Sequence, residues 1–294
     1  MRWPRRLGLL PLVAAWAAAA SAQDAAEPVP AAGGPEWMLA VSALTDEQSF
    51  EHAIAGFYLG IRDDTWLSLA AGRSRAPSTE EDIRAGLVSV GIEHDFGPLG
   101  VGLTTERWGD SNDLESRDWR GEIFFGGERY RVALAYESRA IDVYLSGAGL
   151  LVTDPRRVPI DADGLGINWR VRLAPAWRAY GSWFDFDYPR RVHLVPRVDR
   201  LDLLSSSAVT LAYSLTDRYE MIGFERSLGR KLVGFDFSRD QSAIDGAIYR
   251  SLAASVLWPV AERMDLEFRL GSSRVDGQGS SVYGGLTLLV YRGG

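Results

Sequence analysis

The sequence has no cysteine, only three histidines and a single lysine, Lys231. The absence of cysteine excludes a disulfide framework, a lipid anchor attached to a cysteine and a cysteine nucleophile. Basic residues number 32 against 39 acidic ones, a formal charge of −7, so the chain does not have the basic footprint of a nucleic-acid-binding protein. Beyond the N-terminal region no apolar run approaches the ~18 residues of a transmembrane helix.

Residues 1–22 are predicted to form a secretory signal peptide. A short apolar stretch, Leu7–Ala19, precedes Ala20–Ala22, which has the small-residue spacing of a cleavage site. A transmembrane anchor is the alternative, but Pro11 interrupts the stretch, which is shorter than the ~20 residues that a spanning helix needs. The positive region in front of the stretch consists of Arg2, Arg5 and Arg6.

Cleavage after the predicted signal peptide would leave a mature chain that begins at Gln23. Residues 23–35 are rich in alanine, proline and glycine and are predicted to be a flexible periplasmic leader. Residues 36–294 show no further shift in composition and are predicted to form one domain. The net charge of the mature chain would be −10, because the signal peptide contains three arginines and no acid.

Strict alternation of apolar and charged residues is the dominant pattern of residues 36–294. In Met264–Leu270 the first, third, fifth and seventh residues are apolar and the three residues between them are charged, which in a strand gives one apolar and one charged face. Leu165–Leu173, Tyr130–Glu137 and Val233–Ser238 show the same alternation. Since only helices and closed barrels satisfy all backbone groups in a bilayer, the pattern predicts an all-β protein, a single antiparallel transmembrane β-barrel.

About 16 strands are predicted, and 14 remain open. The larger number counts Ala140–Ser146 and Ala208–Leu215 as strands of their own. An even number returns both termini to the periplasmic side. With 16 strands, however, the long irregular stretch Asp187–Ser207 would lie on that same side, where turns are usually short.

A soluble antiparallel sandwich or propeller is the alternative fold, with the apolar faces packed in a core. Aromatic residues near strand ends favour the membrane barrel, because girdles at the two membrane interfaces lie there. Localisation in the outer membrane, in contact with its lipids, is therefore expected. The aromatic residues in question are Trp37, Trp66, Trp108, Trp119, Trp177, Trp258 and Tyr291.

The last predicted strand resembles the C-terminal assembly signal of bacterial outer-membrane barrels. Tyr283, Gly285, Leu288 and Val290 match its aromatic, glycine and alternating hydrophobic positions, although Arg292–Gly294 displace the usual terminal aromatic residue. This resemblance implies recognition by the barrel-assembly machinery. The rest of the chain is similar to porin-like barrels in pattern, without a specific family.

The sequence offers little for a chemical site. His52, His94 and His193 are the only histidines, and no serine lies in a Gly-x-Ser-x-Gly elbow. No phosphate loop, zinc spacing or calcium loop is present. The expectation is therefore no enzyme, cofactor or metal, with a barrel hydrolase that uses His52 or His193 as the third hypothesis.

The charged face of the strands is the candidate functional surface. It would line the lumen, and it predicts a passive channel for small hydrophilic solutes in which these charges select among them. The second hypothesis is a closed barrel, an interaction or export-associated component whose loops Gly147–Asp163 and Asp187–Ser207 contact partners. A homo-oligomer remains open. The selectivity candidates are Arg120, Arg131, Arg170, Arg172, Asp236, Asp265, Glu267 and Arg269.

Overall fold

The computed structural model describes residues 37–47, 51–62, 64–76, 83–110, 114–127, 129–145, 156–188, 216–243, 246–275 and 280–292. The predicted signal peptide and leader, the Ala208–Leu215 run and His193 lie outside these residues. Among the described residues, no helix is long and apolar enough to cross a membrane.

The described residues form fourteen strands, each antiparallel to the next along the chain. They are β1 (Trp37–Asp46), β2 (Glu51–Arg62), β3 (Thr65–Ala76), β4 (Ile83–Asp95), β5 (Leu99–Asp110), β6 (Leu114–Gly127), β7 (Tyr130–Leu145), β8 (Arg156–Ala174), β9 (Trp177–Asp187), β10 (Thr216–Leu228), β11 (Lys231–Ser242), β12 (Ile248–Ala261), β13 (Met264–Val275) and β14 (Ser280–Arg292).

Pairing of the first strand with the last closes the sheet into a barrel. The register of β1 against β14 runs from Trp37 opposite Arg292 to Asp46 opposite Tyr283. Every described strand therefore has two hydrogen-bonded neighbours, and the sheet has no free edge. Closure of this kind pairs the backbone groups that hydrocarbon could not hydrogen-bond, so the predicted barrel is confirmed.

The described residues form a closed barrel of fourteen strands, the alternative number that the sequence left open, and not the preferred sixteen. Ala140–Ser146 does not form a strand of its own, because β7 runs without a break from Tyr130 to Leu145. Its pairing with β8 continues as far as Leu145 opposite Arg156. β7 and β8 have 16 and 19 residues, more than the ~9–11 needed to cross a bilayer. The long strand β7 therefore covers both the Tyr130–Glu137 run and most of the Ala140–Ser146 run, which the sequence predicts as separate strands.

The two ends of the barrel differ in their connections. At one end, called the turn rim, short turns follow β2, β4, β6, β8, β10 and β12, and Trp37 and Arg292 lie at the same end. Gly97 and Gly229 in these turns have φ of 85° and 66°, a region that glycine enters without steric cost. At the other end, the loop rim, β9 ends and β10 begins. With fourteen strands, the long stretch 187–207 therefore no longer conflicts with the rule of short periplasmic turns.

The outer face of the barrel is apolar over its middle. Within Met264–Leu270, Phe268 and Leu270 are 53% and 64% exposed, whereas Asp265, Glu267 and Arg269 lie on the opposite, lumen face. The predicted two-faced strand is confirmed. The same outward row of large exposed side chains continues around the barrel with Val88, Leu103, Ile123, Leu134, Leu165, Phe235 and Leu252.

Aromatic residues bound this apolar belt on both sides. Near the turn rim, Lys231 lies 3.3 Å from the ring centroid of outward-facing Trp258. Trp177 and Trp183 face outward at the two borders of the belt on β9, about 20 Å apart along the strand at ~3.3 Å per residue. Further aromatic side chains in these borders are Trp37, Phe125, Tyr130, Trp119 and Tyr136. Three of the predicted girdle residues, Trp66, Trp108 and Tyr291, instead face the lumen, since they alternate with outward apolar neighbours.

Candidate functional site: the charged lumen wall

All eight predicted selectivity residues lie on strands with their side chains on the lumen face. They alternate with exposed apolar residues of the outer face, such as Ile123, Leu134 and Phe268. The lumen-facing residues are Arg120, Arg131, Arg170, Arg172, Asp236, Asp265, Glu267 and Arg269. Their role in selectivity stays a prediction.

The four residues of the predicted assembly signal divide between the two faces of β14. Tyr283 is buried on the lumen face together with Gly285, whereas Leu288 and Val290 lie on the outer face. The alternating positions of the motif therefore correspond to the two faces of β14. Its use as an assembly signal stays a prediction.

Three lumen arginines rest on aromatic rings, and each ring rests on a glycine of the neighbouring strand. The Arg131 guanidinium lies 3.7 Å from the ring centroid of Phe124. Phe124 is directly opposite Gly100 in the register of β5 and β6, and a Cβ at Gly100 would overlap its ring. The missing side chain of glycine thus makes room for the ring, and the ring face attracts the cation.

The same arrangement occurs twice between β8 and β9. Phe184 and Phe186 are opposite Gly166 and Gly164, and their rings stack with centroids 6.0 Å apart. The guanidinium of Arg120 lies 4.5 Å from the Phe184 centroid, and that of Arg139 lies 3.9 Å from the Phe186 centroid. These contacts fix the position of each arginine on the wall.

Carboxylates hold the other side of these guanidinium groups. Arg131 donates two hydrogen bonds to Glu93, of 2.8 and 3.0 Å. The Nε atoms of Arg120 and Arg139 lie 2.7 Å from Glu122 and 2.6 Å from Glu137. Paired, ring-supported arginines have few alternative rotamers, so their charges are held at fixed places along the lumen.

A second charged group lies on the side formed by β11 to β14. The Nη2 atom of Arg269 is 2.6 Å from both carboxylate oxygens of Asp236, and the two side chains are only 10% and 5% exposed. Tyr283 shares a 2.9 Å hydrogen bond with Ser251, and a Cβ at Gly271 would overlap its ring.

These ion pairs run along the wall and do not cross the lumen. Arg120–Glu122 and Arg139–Glu137 each join residues of one strand. Asp236–Arg269 joins β11 to β13, and Glu93–Arg131 joins β4 to β7, in a ring of fourteen strands. Pairs of this kind reinforce the wall while leaving opposite walls unconnected by these contacts.

The charge of the lumen face is unbalanced towards the acidic side. Fixed charges on the walls of a low-dielectric tube create a field that favours counter-ions. In the described strands, lumen-facing acids outnumber lumen-facing arginines. The acids include Asp46, Glu93, Asp95, Glu106, Asp110, Asp118, Glu122, Glu137, Glu225, Asp236, Asp240, Asp265 and Glu267, and the arginines include Arg120, Arg131, Arg139, Arg170, Arg172, Arg178 and Arg269.

An apolar cluster thickens one side of the lumen towards the loop rim. Trp108, Ile141, Phe184, Phe186 and Tyr188 are all less than 10% exposed and pack together. They come from β5, β7 and β9 and from the residue that follows β9. The cluster therefore occupies space on the lumen side of the wall.

Two of the histidines, His52 and His94, take part in local hydrogen bonds. The Nδ1 atom of His52 lies 2.9 Å from the Ser74 hydroxyl at the loop rim, and that of His94 lies 2.8 Å from the Thr65 hydroxyl near the turn rim. Glu51, next to His52, lies on the opposite face of β2 and does not support it. Among the described residues, no group of three or more acidic or histidine side chains could hold a metal ion.

The sequence prediction missed the support of the charges. Arg139 lies between the predicted runs Tyr130–Glu137 and Ala140–Ser146 and belongs to neither, and alternation alone predicts polar side chains, not rings, on the lumen face. A signal is present in the pair of segments Gly164–Gly166 and Phe184–Phe186, whose two-residue spacings match. Only the register of β8 against β9 shows that they face each other.

A closed antiparallel barrel with an apolar outer belt, aromatic borders and a charged lumen is the architecture of porin-like outer-membrane barrels. No family model and no curated protein matches the chain. Among solved structures, the monoaromatic hydrocarbon channel CymD matches with a TM-score of 0.53 and 9% identity, over 89% of this chain and 88% of that one. At this identity the likeness shows the fold.

Two further solved structures have lower TM-scores. The outer-membrane channel DcaP of Acinetobacter baumannii has a TM-score of 0.45 at 8% identity, over 88% of this chain and 96% of that one. The KdgM porin in complex with disordered oligogalacturonate has a TM-score of 0.43 at 5% identity, over 86% of this chain and 98% of that one.

Proposed function

We propose that this protein is a passive channel for small hydrophilic solutes in the bacterial outer membrane, with the charged lumen wall as its selectivity element. The turn rim faces the periplasm, because it carries the short turns and both ends of the described barrel. The loop rim then faces the outside of the cell. The apolar belt and its aromatic borders support insertion in a bilayer.

The observation that carries the proposal is the way the lumen charges are held. Arg120, Arg131 and Arg139 are fixed on rings and paired along the wall, so both signs of charge are presented to the lumen at set positions. A solute that crosses meets these charges in a narrow, low-dielectric tube, where they act more strongly than in bulk water. Because the lumen acids outnumber the arginines, the channel prefers cations.

Conductance of the refolded protein in planar bilayers tests this proposal. We expect discrete conductance steps and a reversal potential in a potassium chloride gradient that indicates cation preference. Asp265→Arg, which adds positive charge to the lumen, should weaken the cation preference, and Arg170→Glu should strengthen it. Asp185→Arg, on the outer face of β9, is the matched control and should change neither. Conductance no higher than that of the lipid alone would refute the channel.

A closed barrel is the second candidate, and the apolar cluster at Trp108 and Phe186 is the observation that favours it. If the cluster seals the lumen, the wild type is silent and removal of bulk opens it. Phe186→Ala and Trp108→Ala should then produce conductance where the wild type has none. A wild type that already conducts rejects this candidate.

A further inference from the structure

The outer face of the loop rim carries a concentrated group of arginines on β3 to β6. Arg73, Arg75, Arg84, Arg107 and Arg117 alternate with lumen-facing residues and share the outward face with exposed Leu69, Val88 and Leu103. We call these five arginines the arginine patch. Its nearest outward acids are Glu51 and Glu115.

Two pairs of arginines face each other directly across neighbouring strands. Arg75 is the register partner of Arg84, and Arg107 is the register partner of Arg117. Like charges directly opposite each other in a sheet are destabilising. Glu115 offsets this cost between Arg107 and Arg117, and an anion bound between Arg75 and Arg84 would offset it there.

The acids within the patch do not neutralise it. Glu115 contacts both Arg107 and Arg117, at 3.0 and 2.7 Å, and Glu51 lies 3.9 Å from Arg75. Arg73 and Arg84 are exposed and have neither an ion pair nor a side-chain hydrogen bond to any described residue. These two are the arginines available to a ligand.

Small residues around the patch leave room for that ligand. The register neighbours of Arg73 on the outer face are Ala53 and Gly86, and nothing lies within 4 Å of a Cβ built on Gly86. A hollow of about 1470 Å³ lies at this part of the rim. Its lining includes outward-facing Ala53, Arg73, Arg84, Gly86 and Arg107, together with lumen-facing Leu44, His52 and Trp108.

The position of the patch defines the chemistry of the ligand. It lies directly above the apolar belt formed by Leu69, Val88 and Leu103, so a bound lipid would place its acyl chains on the belt and its headgroup on the arginines. Planar guanidinium groups match the oxygens of phosphate through paired hydrogen bonds. Elsewhere the outer face of the same rim carries charges of both signs, with acids at Asp161, Asp163, Asp185 and Asp187 and further arginines at Arg239, Arg250 and Arg274.

We propose that the arginine patch binds the phosphate groups of a phosphorylated lipid in the leaflet that surrounds the loop rim. This inference rests on the proposed membrane location but not on conduction. Arg73 and Arg84 provide the primary contacts, and Arg75 and Arg107 complete the site.

Native mass spectrometry of the full chain, refolded in a neutral detergent, tests the proposal with diphosphoryl lipid A and its dephosphorylated form as ligands. We expect the wild type to retain the phosphorylated lipid and to lose the dephosphorylated one. The double variant Arg73→Gln/Arg84→Gln should bind the phosphorylated lipid about tenfold more weakly, because it lacks two charged contacts. Inorganic phosphate at millimolar concentration should not displace the lipid.

Arg218→Gln/Arg239→Gln is the matched control, since it removes two outward arginines of the same rim that pair with Asp185 and Glu220. It should bind lipid A as the wild type does. Heat-modifiable migration on gels and an unchanged or raised urea midpoint would show that the patch variant folds.

Several results would overturn the proposal. They are equal binding of both lipid forms, an unchanged affinity in the patch variant, or the same loss in the control. If the patch variant instead turns an oligomer into a monomer without a change in lipid binding, the patch contacts a second copy of the chain. Conductance separates the two proposals, because the patch variant should conduct as the wild type does, and a silent protein that still binds lipid A would refute only the channel.

Discussion

The ion pair between Asp236 and Arg269 should be the most costly lumen pair to break. Both side chains are nearly buried, and Arg269 contacts both carboxylate oxygens at 2.6 Å. Loss of one partner of a buried pair costs ~3–5 kcal/mol. Two charges ~4 Å apart at an effective dielectric constant of about 20 interact by ~4 kcal/mol, a similar size. We expect Arg269→Gln to lower the free energy of unfolding by about 3 kcal/mol, the lower end of this range.

A double-mutant cycle isolates the pair from other effects of each substitution. The variants are Asp236→Asn, Arg269→Gln and the combination, and the expected coupling is about 2 kcal/mol. Urea unfolding in lipid vesicles, followed by the fluorescence of the ten tryptophans, provides the measurement. Arg218 and Asp185, 3.2 Å apart and 44% and 47% exposed, form the control pair, for which the expected coupling is at most ~0.5 kcal/mol.

Equal coupling in the two cycles would refute the reasoning. It would mean that the lumen screens Asp236 and Arg269 as effectively as bulk water screens the outer pair. A loss below about 1 kcal/mol in Arg269→Gln would lead to the same conclusion, because the carboxylate left behind would then be hydrated.

Two further substitutions test the support of the lumen wall. Gly271→Ala should displace the Tyr283 ring and lower the free energy of unfolding by ~1–3 kcal/mol, whereas Gly86→Ala, with open space at its Cβ, should stay within about 0.5 kcal/mol of the wild type in urea titrations. Equal effects of the two would contradict the close packing of the ring. Phe186→Leu removes the ring beneath Arg139 and should lower the free energy of unfolding by ~2–3 kcal/mol. It should also increase fluctuations in the single-channel current. A stability equal to that of the wild type would show that the ring does not support the arginine.

The faces of the strands could be predicted from the sequence because they depend on local chemistry alone. A period of two follows from strand geometry, so an apolar residue such as Phe268 places Glu267 and Arg269 on the other face without knowledge of the partner strand. The charged lumen could therefore be predicted, residue by residue.

The number of strands could not be predicted in the same way. Alternation shows where a chain is extended and two-faced, but a strand ends where its partner or a turn ends it. Between Glu137 and Ala140 the alternation weakens, yet β8 continues opposite and keeps the ladder intact to Leu145. The pairing of β7 with β8 is a tertiary property, and the sequence of β7 alone does not contain it.

The rings beneath the arginines depend on the same non-local information. A phenylalanine such as Phe184 is not expected on a polar lumen face. Its ring fits there because Gly166, directly opposite on β8, has no side chain in that space. That pairing depends on register, which the turns and the whole closed sheet determine together. The sequence therefore predicts the charged lumen side chains, but not the aromatic rings that fix their positions.

The interactions that hold the charges also connect the stability of the wall with its selectivity. If the lumen conducts, breaking Asp236–Arg269 both destabilises the barrel and shifts the reversal potential. The same residue pair then stabilises the packing of the wall and contributes to the electric field in the lumen. If the apolar cluster closes the lumen, the same substitution destabilises the barrel while the protein remains silent, because Asp236 and Arg269 lie on β11 and β13, away from Phe186 on β9. Joint measurement of unfolding and conductance on this variant therefore shows whether the ion pair that stabilises the wall also sets the field in the lumen, which neither measurement shows alone.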